Sequence, residues 1–446
     1  MNLNELIRTL EPETAGREMH ALATELYPLR RSISGNGLRR TLETIRRKIP
    51  LEVQEIPSGT EVFDWNVPNE WNIQDAYIKN AQGERIVDFR KHNLHVVGYS
   101  VPVRRKMSLE ELRPHLFSLP ERPDWIPYRT SYYRETWGFC LSHREFERMP
   151  DAEYEVCIDS TLVPGSMTIG EAYLPGEVAD EVLISCHCCH PSLANDNLSG
   201  ISVAVALAKC LLSIPHRYSY RFLFMPGTIG AIAWLALNEV KTKFIRHGLV
   251  LSCVGDSGTF TYKKSRRGDA EIDRAALHVL EVSKGTHRAI EFFPYGYDER
   301  QYCSPGFNLP VGCLMRSPHG TFPEYHTSAD NLDFIRPLSL GNSLAKVLEL
   351  VQVLEQNRRY VNQNPKCEPR LGKRGLYGEV GGTRQRNFGE MALLWVLNLS
   401  DDRHDLLSIA ERSGIRFCEI AAAADALVAC GLLKLSDPGT SEVYID

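Results

Sequence analysis

The chain has no uninterrupted apolar run of 18 or more residues, and its opening stretch, MNLNELIRTLEPETAGREMH, has no apolar core of signal-peptide length. A membrane-spanning helix needs about 20 apolar residues, so none is expected, and a soluble, cytoplasmic protein is the reading. Charge of one sign is lacking too. A net charge of −5 over 446 residues, with pI near 6.3, gives no global reason to expect nucleic acid or an anionic membrane as partner. The twelve cysteines follow no scaffold spacing, which in a large chain without an export signal points to reduced thiols. Thiolate zinc sites draw cysteine pairs from separate turns, and no second pair complements Cys186, Cys188 and Cys189. That disfavours a thiolate site there, and Cys186 is expected to point into a sheet as a small apolar residue.

A hydrophobic content of 43% with 24% charged residues is that of an ordinary globular protein, long enough for two or three domains. Met19, Leu22 and Leu26, then Leu42, Ile45 and Ile49, mark two helices within 17–48, broken by the turn-rich SISGNG at 32–37. From about 58 to 150, tryptophans, prolines and short alternating runs such as NLHVVGY (93–99) suggest a β-rich insertion. Apolar strands are expected at 154–158, 167–173, 182–186, 220–225 and 248–254, with buried helices at 199–212 and 229–237. That alternation predicts an α/β fold with a central mixed, mainly parallel sheet and helices on both faces. After a Pro/Gly/Arg-rich linker, helices at 390–397, 405–412 and 417–429, then strands at 432–435 and 442–445, have the order of a winged helix-turn-helix. The expected domains are 1–57 with 151–365, an insertion 58–150, and a winged helix 366–446.

The segment VLISCHCCHPSLANDNLSG brings an apolar strand to His187 and His190, then a loop with Asp196, then a helix. Asp256 follows another apolar strand, and His326 lies in the polar loop PEYHTSADN. Carboxyl ends of strands are where open α/β sheets bind ligands. Imidazoles with carboxylates suit zinc, one ion or two bridged by an Asp, and zinc acidifies water and polarises carbonyls. Singly, each residue has a structural alternative: a hydrogen-bonded His, or Asp196 as a helix N-cap.

CHCCHPSLANDNLSG and PEYHTSADNLDFI resemble the metal-binding motifs of M28-type zinc aminopeptidases. More closely they resemble an aminopeptidase-like family with an inserted small domain and a C-terminal winged helix; VGDSG and YDERQYCSPG fit the same family. The resemblance covers essentially the whole chain. It implies His187 as the first metal His, with His190 its rival, Asp196 as the bridging ligand, Asp256 as a terminal carboxylate and His326 as the last His. It also marks two departures. Where M28-type enzymes carry an Asp that orients the first His, this chain has Cys189. Where a Glu general base is expected, it has Gly227 in MPGTIG, and glycine neither takes a proton nor binds metal. Glu324, Glu171 and Glu299 are candidate substitutes, Glu324 foremost because it neighbours His326. Arg300 and Tyr302, in a loop that the resemblance puts at the substrate site, are expected to grip a carboxylate and to face a developing oxyanion.

The expected activity is therefore hydrolysis of a small peptide-like or amide substrate. The alternative is a non-catalytic scaffold that keeps the fold. The basic run Lys263–Arg267 reads as solvated surface. The would-be recognition helix at 417–429 carries Glu419 and Asp425 but no Lys or Arg, so docking or formation of a homo-oligomer is expected there rather than DNA binding.

Overall fold

The computed structural model describes residues 2–283, 285–376 and 388–436. Strands Glu181–His187 and Ser219–Met225 are buried at every position. Such strands belong in the middle of a sheet covered on both faces. They lie side by side in an eight-stranded sheet whose order is 52–57, 166–174, 219–225, 181–187, 245–251, 311–315, 260–263, 287–290. The four central strands, 219–225, 181–187, 245–251 and 311–315, run parallel. Strands 52–57 and 166–174 join antiparallel on one side, and 260–263 on the other. The mixed, mainly parallel sheet flanked by helices is therefore present. Helix Gly200–Leu212 buries nine of its thirteen residues, as a helix packed on the sheet must bury its inner face. Helix Pro12–Leu26 starts with Pro at its first turn and buries Met19, Leu22, Ala23 and Leu26 at helical spacing.

A second sheet, antiparallel and four-stranded, has the order 85–88, 70–79, 153–163, 103–108. Strand Glu153–Val163 thus pairs outside the large sheet and carries the small one past residue 150. The alternating stretch 93–99 is a 3₁₀ turn at Asn93–His95 followed by isolated bridges, not a strand. The His92 ring caps Leu94 N, and Val97 N and Gly98 N donate to Gly138 O and Arg129 O, loop partners rather than a ladder. Strand 245–251 ends before the expected 254, because Cys253 turns the chain with a left-handed φ of 51°.

Residues cluster into two units: 1–268 with 288–345, and 269–287 with 346–446. In the second, helices Glu390–Leu399, Leu406–Ser413 and Phe417–Ala429 accompany a three-stranded sheet ordered 401–405, 359–362, 433–435. This is a winged helix, and its central strand precedes the linker. Asp405 caps the second helix through Ser408 N at 2.6 Å, and Gly414, at φ 67°, makes the left-handed turn that ends it. Helix Glu271–Glu281 joins this unit through Arg274 to Glu411 at 2.6 Å and Phe417 N to His278 at 3.1 Å. The strand expected at 442–445 lies outside the described residues. Among the described residues no helix is long and apolar enough to cross a membrane.

Candidate metal centre

Parallel strands deliver their carboxyl ends to one edge of the sheet, and there the predicted histidines meet. His187 is the last residue of its strand, in register with Met225, and Cys188 N donates to Met225 O at 2.9 Å. The loop beyond is tied at both ends. Arg31 Nε donates to His190 O at 2.9 Å, and the Asp330 carboxylate accepts from Asn195 N at 2.6 Å and Asp196 N at 3.0 Å. His326 arrives on a separate loop, its own φ left-handed at 56°. The inserted segment holds that loop by main-chain pairing: Tyr128 N donates to His326 O and Ser328 N to Ile126 O, both at 2.8 Å. The Tyr128 ring then packs 5.0 Å from His190 and 5.1 Å from His326. The insertion therefore builds one wall of the site.

Asp196 is the hub. Its Oδ1 lies 2.7 Å from His187 Nε2, and its Oδ2 lies 3.1 Å from His326 Nε2 and 4.0 Å from His190 Nε2. His187 and Asp196 are fully buried, and His190 is 6% exposed. Burial alone would raise the Asp196 carboxyl, but the nearby His190 and His187, with hydrogen bonds from His187 and His326, hold it well below the usual carboxylate range. Burial drives His190 well below the usual imidazole value, partly opposed by Asp196. Histidine binds metal through a neutral imidazole and aspartate through an ionised carboxylate. His187, His190 and Asp196 each offer one ligand atom, all within 4.8 Å of one another. The donor chemistry suits zinc. Both His187 and His190 face Asp196.

The remaining expected residues are not among the clustered ligand atoms. Asp256 is buried behind the cluster, where its carboxylate accepts from Asn195 Nδ2 at 2.7 Å, Ser317 Oγ at 2.8 Å and Gly258 N at 2.5 Å. It supports the Asp196 loop through Asn195 rather than joining the clustered atoms. Tyr302 is fully buried, with its hydroxyl 3.1 Å from Ser185 Oγ in the sheet core. Arg300 has a buried Nε without a hydrogen-bond partner. Glu324 is half-buried, and its carbonyl accepts from Thr327 N at 3.1 Å. Glu171 is engaged by Arg221 and Trp234, and Glu299 by Lys263 at 2.9 Å, so neither carboxylate is free for proton transfer. Among the described residues, Cys186, Cys188 and Cys189 join no candidate ligand group. Cys186 is fully buried in the sheet, as expected.

The place of the absent Glu has been filled. A Cβ on Gly227 would lie 2.8 Å from Tyr297 Cδ1 and 2.9 Å from His187 Cβ, closer than atoms pack. The Tyr297 ring stacks on His187 at 3.9 Å and 4°, and its hydroxyl lies 2.8 Å from His190 Nε2 and 3.5 Å from His326 Nε2. Burial, then the Asp196 charge, pushes this phenol well above its ordinary value, so it stays protonated. Cys189 does not orient His187: its Sγ sits 3.5 Å from His190 Nδ1 and 3.9 Å from Gly227 O. His187 Nδ1 is buried without a hydrogen-bond partner, and ring stacking takes over the orienting.

Sequence reasoning missed Tyr297, Tyr128, Cys253 and His319. His319 follows the apolar strand Val311–Met315, and Cys253 follows Ile245–Leu251. The strand-end criterion that selected His187 therefore applied to both. Tyr128 carried no local signal, since its place depends on how the insertion folds back.

A family model described as a domain of unknown function (DUF4910) matches residues 20–357, and one for a winged helix-turn-helix matches residues 358–435. A Clostridium acetobutylicum protein, named as a candidate polysaccharide biosynthesis protein with an aminopeptidase-like domain, is 52% identical over 423 residues, 95% of this chain and 97% of its own length. A crystal structure from the same organism, named as a candidate peptidase, matches with a TM-score of 0.93 and 50% identity, covering 97% of this chain and 99% of that one. The zinc aminopeptidase BSAP of Bacillus subtilis matches with a TM-score of 0.56 and 13% identity, covering 76% of this chain and 94% of that one; at that identity the likeness is one of fold. An aminopeptidase-like α/β fold, a winged helix and a match through residues 20–357 together make this chain a member of the DUF4910 family.

Proposed function

We propose that the chain is a zinc-dependent hydrolase of amide or peptide bonds in which Tyr297 occupies the place of the expected carboxylate at position 227. The observation that carries this is the buried set of His187, His190 and Asp196, joined by the half-buried His326, with the Tyr297 hydroxyl 2.8 Å from His190 Nε2. Those four residues would hold the ion. When bound, zinc supplies Lewis-acid polarisation of a carbonyl and acidification of water. Tyr297, kept protonated by burial, would donate a hydrogen bond to a developing oxyanion, a role worth about 10²–10³-fold in rate. Tyr128 excludes water from the imidazoles. Glu324, on the His326 loop, is the carboxylate we assign to proton transfer. The Clostridium relative's name joins an aminopeptidase-like domain to polysaccharide biosynthesis. Amide-bearing sugar derivatives therefore belong beside short peptides in the substrate range.

The winged helix contributes docking or self-association in this reading, since helix 417–429 offers no cation to phosphate. The test is metal analysis of the purified chain, with hydrolysis of aminoacyl amides and N-acyl amino sugars measured with and without chelator. Zinc in the protein and chelator-sensitive turnover are expected, with kcat lowered about 10²-fold in Tyr297→Phe and in Glu324→Gln. Absence of turnover on both substrate classes in the zinc-replete protein would refute the proposal. That outcome supports a second reading, a ligand-binding scaffold, which the filling of the Gly227 space by Tyr297 favours.

A further inference from the structure

We propose that Asp196, Cys253 and His319 form a second cation site with a thiolate ligand, sharing Asp196 with the imidazole cluster. The inference rests on the metal reading above and extends it to residues outside that cluster. Asp196, Cys253 and His319 each offer one ligand atom, all within 4.8 Å of one another. Asp196 and Cys253 are fully buried. A carboxylate has two oxygens and about four lone-pair positions, enough for Asp196 to serve two ions.

The neighbourhood holds these groups in place. Cys253 adopts a left-handed φ of 51°, a region that residues other than glycine seldom enter. It is fixed there by Arg316 N donating to Cys253 O at 2.9 Å and by Val254 N donating to Ser199 Oγ at 3.0 Å. Ser252 Oγ lies 2.8 Å from His319 Nε2 and fixes the ring, as outer hydrogen bonds do for ligating histidines. Tyr297 packs against His319 at 4.9 Å. A thiol serving only as a small apolar residue needs neither an imidazole nor an ionised carboxylate beside it. Thiolate with imidazole and carboxylate selects zinc or cobalt over magnesium or calcium, and binding releases the thiol proton to solvent. The set differs from the one the sequence motifs imply, because Gly227 has no donor and Asp256 is engaged by Asn195 and Ser317.

The test is titration of the metal-free full-length chain with Co²⁺, read by absorption spectroscopy and metal analysis. Two ions per chain are expected, with a thiolate-to-cobalt charge-transfer band in the near ultraviolet. Cys253→Ser, Cys253→Ala and His319→Ala should each bind one ion and lose that band, while the visible bands of the imidazole cluster persist. Circular dichroism checks that each variant is folded, and two different replacements at Cys253 guard against loss of one. His326→Ala should keep the thiolate band, and Asp196→Asn should weaken both sites. One ion without a thiolate band in the wild type overturns the second site and leaves the first standing. Retention of two ions and the band in both Cys253 variants overturns it as well. Failure of the wild type to bind any cobalt overturns both readings.

Discussion

At position 227 a missing side chain does more than remove a carboxylate. It opens the space that the Tyr297 ring enters, and that ring then holds His187 by stacking and meets His190 and His326 through its hydroxyl. Glycine and tyrosine therefore act as a pair, 70 residues apart in sequence. Restoring the carboxylate alone sets a side chain against Tyr297 and His187. Gly227→Glu should lose about 1–3 kcal/mol of stability, the usual cost of overpacking, seen as a lower urea midpoint at unchanged slope. Gly227→Glu combined with Tyr297→Ala should recover most of that loss. A single variant as stable as the wild type would show that Tyr297 does not fill the space. Of the candidate bases Glu171, Glu299 and Glu324, the sequence favours Glu324 for its place beside His326, and the tertiary structure separates the others by their partners. Arg221 and Lys263 engage the first two.

The central strands do two jobs, burying apolar surface along their length and placing the candidate ligand His187 at the end of one of them. Burying a Phe or Leu side chain contributes about 1.5–3 kcal/mol, so runs such as Ser219–Met225, buried throughout, fix the strands that place His187. Not every buried polar residue on them is functional. His247 lies in strand Ile245–Leu251, 4% exposed, with its Nε2 3.4 Å from Tyr218 Oη and its Nδ1 unpartnered. Burial lowers its pKa to about 4, below its unfolded value of about 6.5. The folded state thus refuses a proton that the unfolded chain takes up, so this contribution is complete above pH 6.5 and is lost as pH falls towards 4. Urea unfolding across that window should show wild type losing up to about 3 kcal/mol relative to His247→Gln. A pH-independent difference between the two would mean that the ring is not held neutral. The stretch at 93–99 is held by tertiary partners. Alternation suggested a strand, but the backbone partners there are loop carbonyls, which no local pattern foretells.

For the whole molecule, every residue of the proposed metal cluster falls in the unit formed by 1–268 and 288–345. A ligand that binds only the folded state stabilises it by mass action, about 4 kcal/mol at a thousandfold excess over Kd. Calorimetry should therefore resolve a transition that rises with zinc and falls with chelator, alongside one from the winged-helix unit that stays in place. A zinc-insensitive thermogram would contradict metal binding by the native chain. The insertion, readable in the sequence only as β-rich texture, turns out to pair with the His326 loop and to bring Tyr128 over the imidazoles.

The sequence by itself determined the alternation of apolar strands and helices, the winged-helix order, and the loops that carry His187, His190, Asp196 and His326. Those features are local: periodicity and strand-end placement follow from burial of contiguous segments. Only the tertiary structure decided that both His187 and His190 face Asp196, that Asp256 stands behind Asn195, and that Tyr297 fills the space at Gly227. It also brought Cys253 and His319 to Asp196. Each of these depends on which strand ends become neighbours and how long loops return across them. Close packing sets both, and no single stretch of chain contains that information.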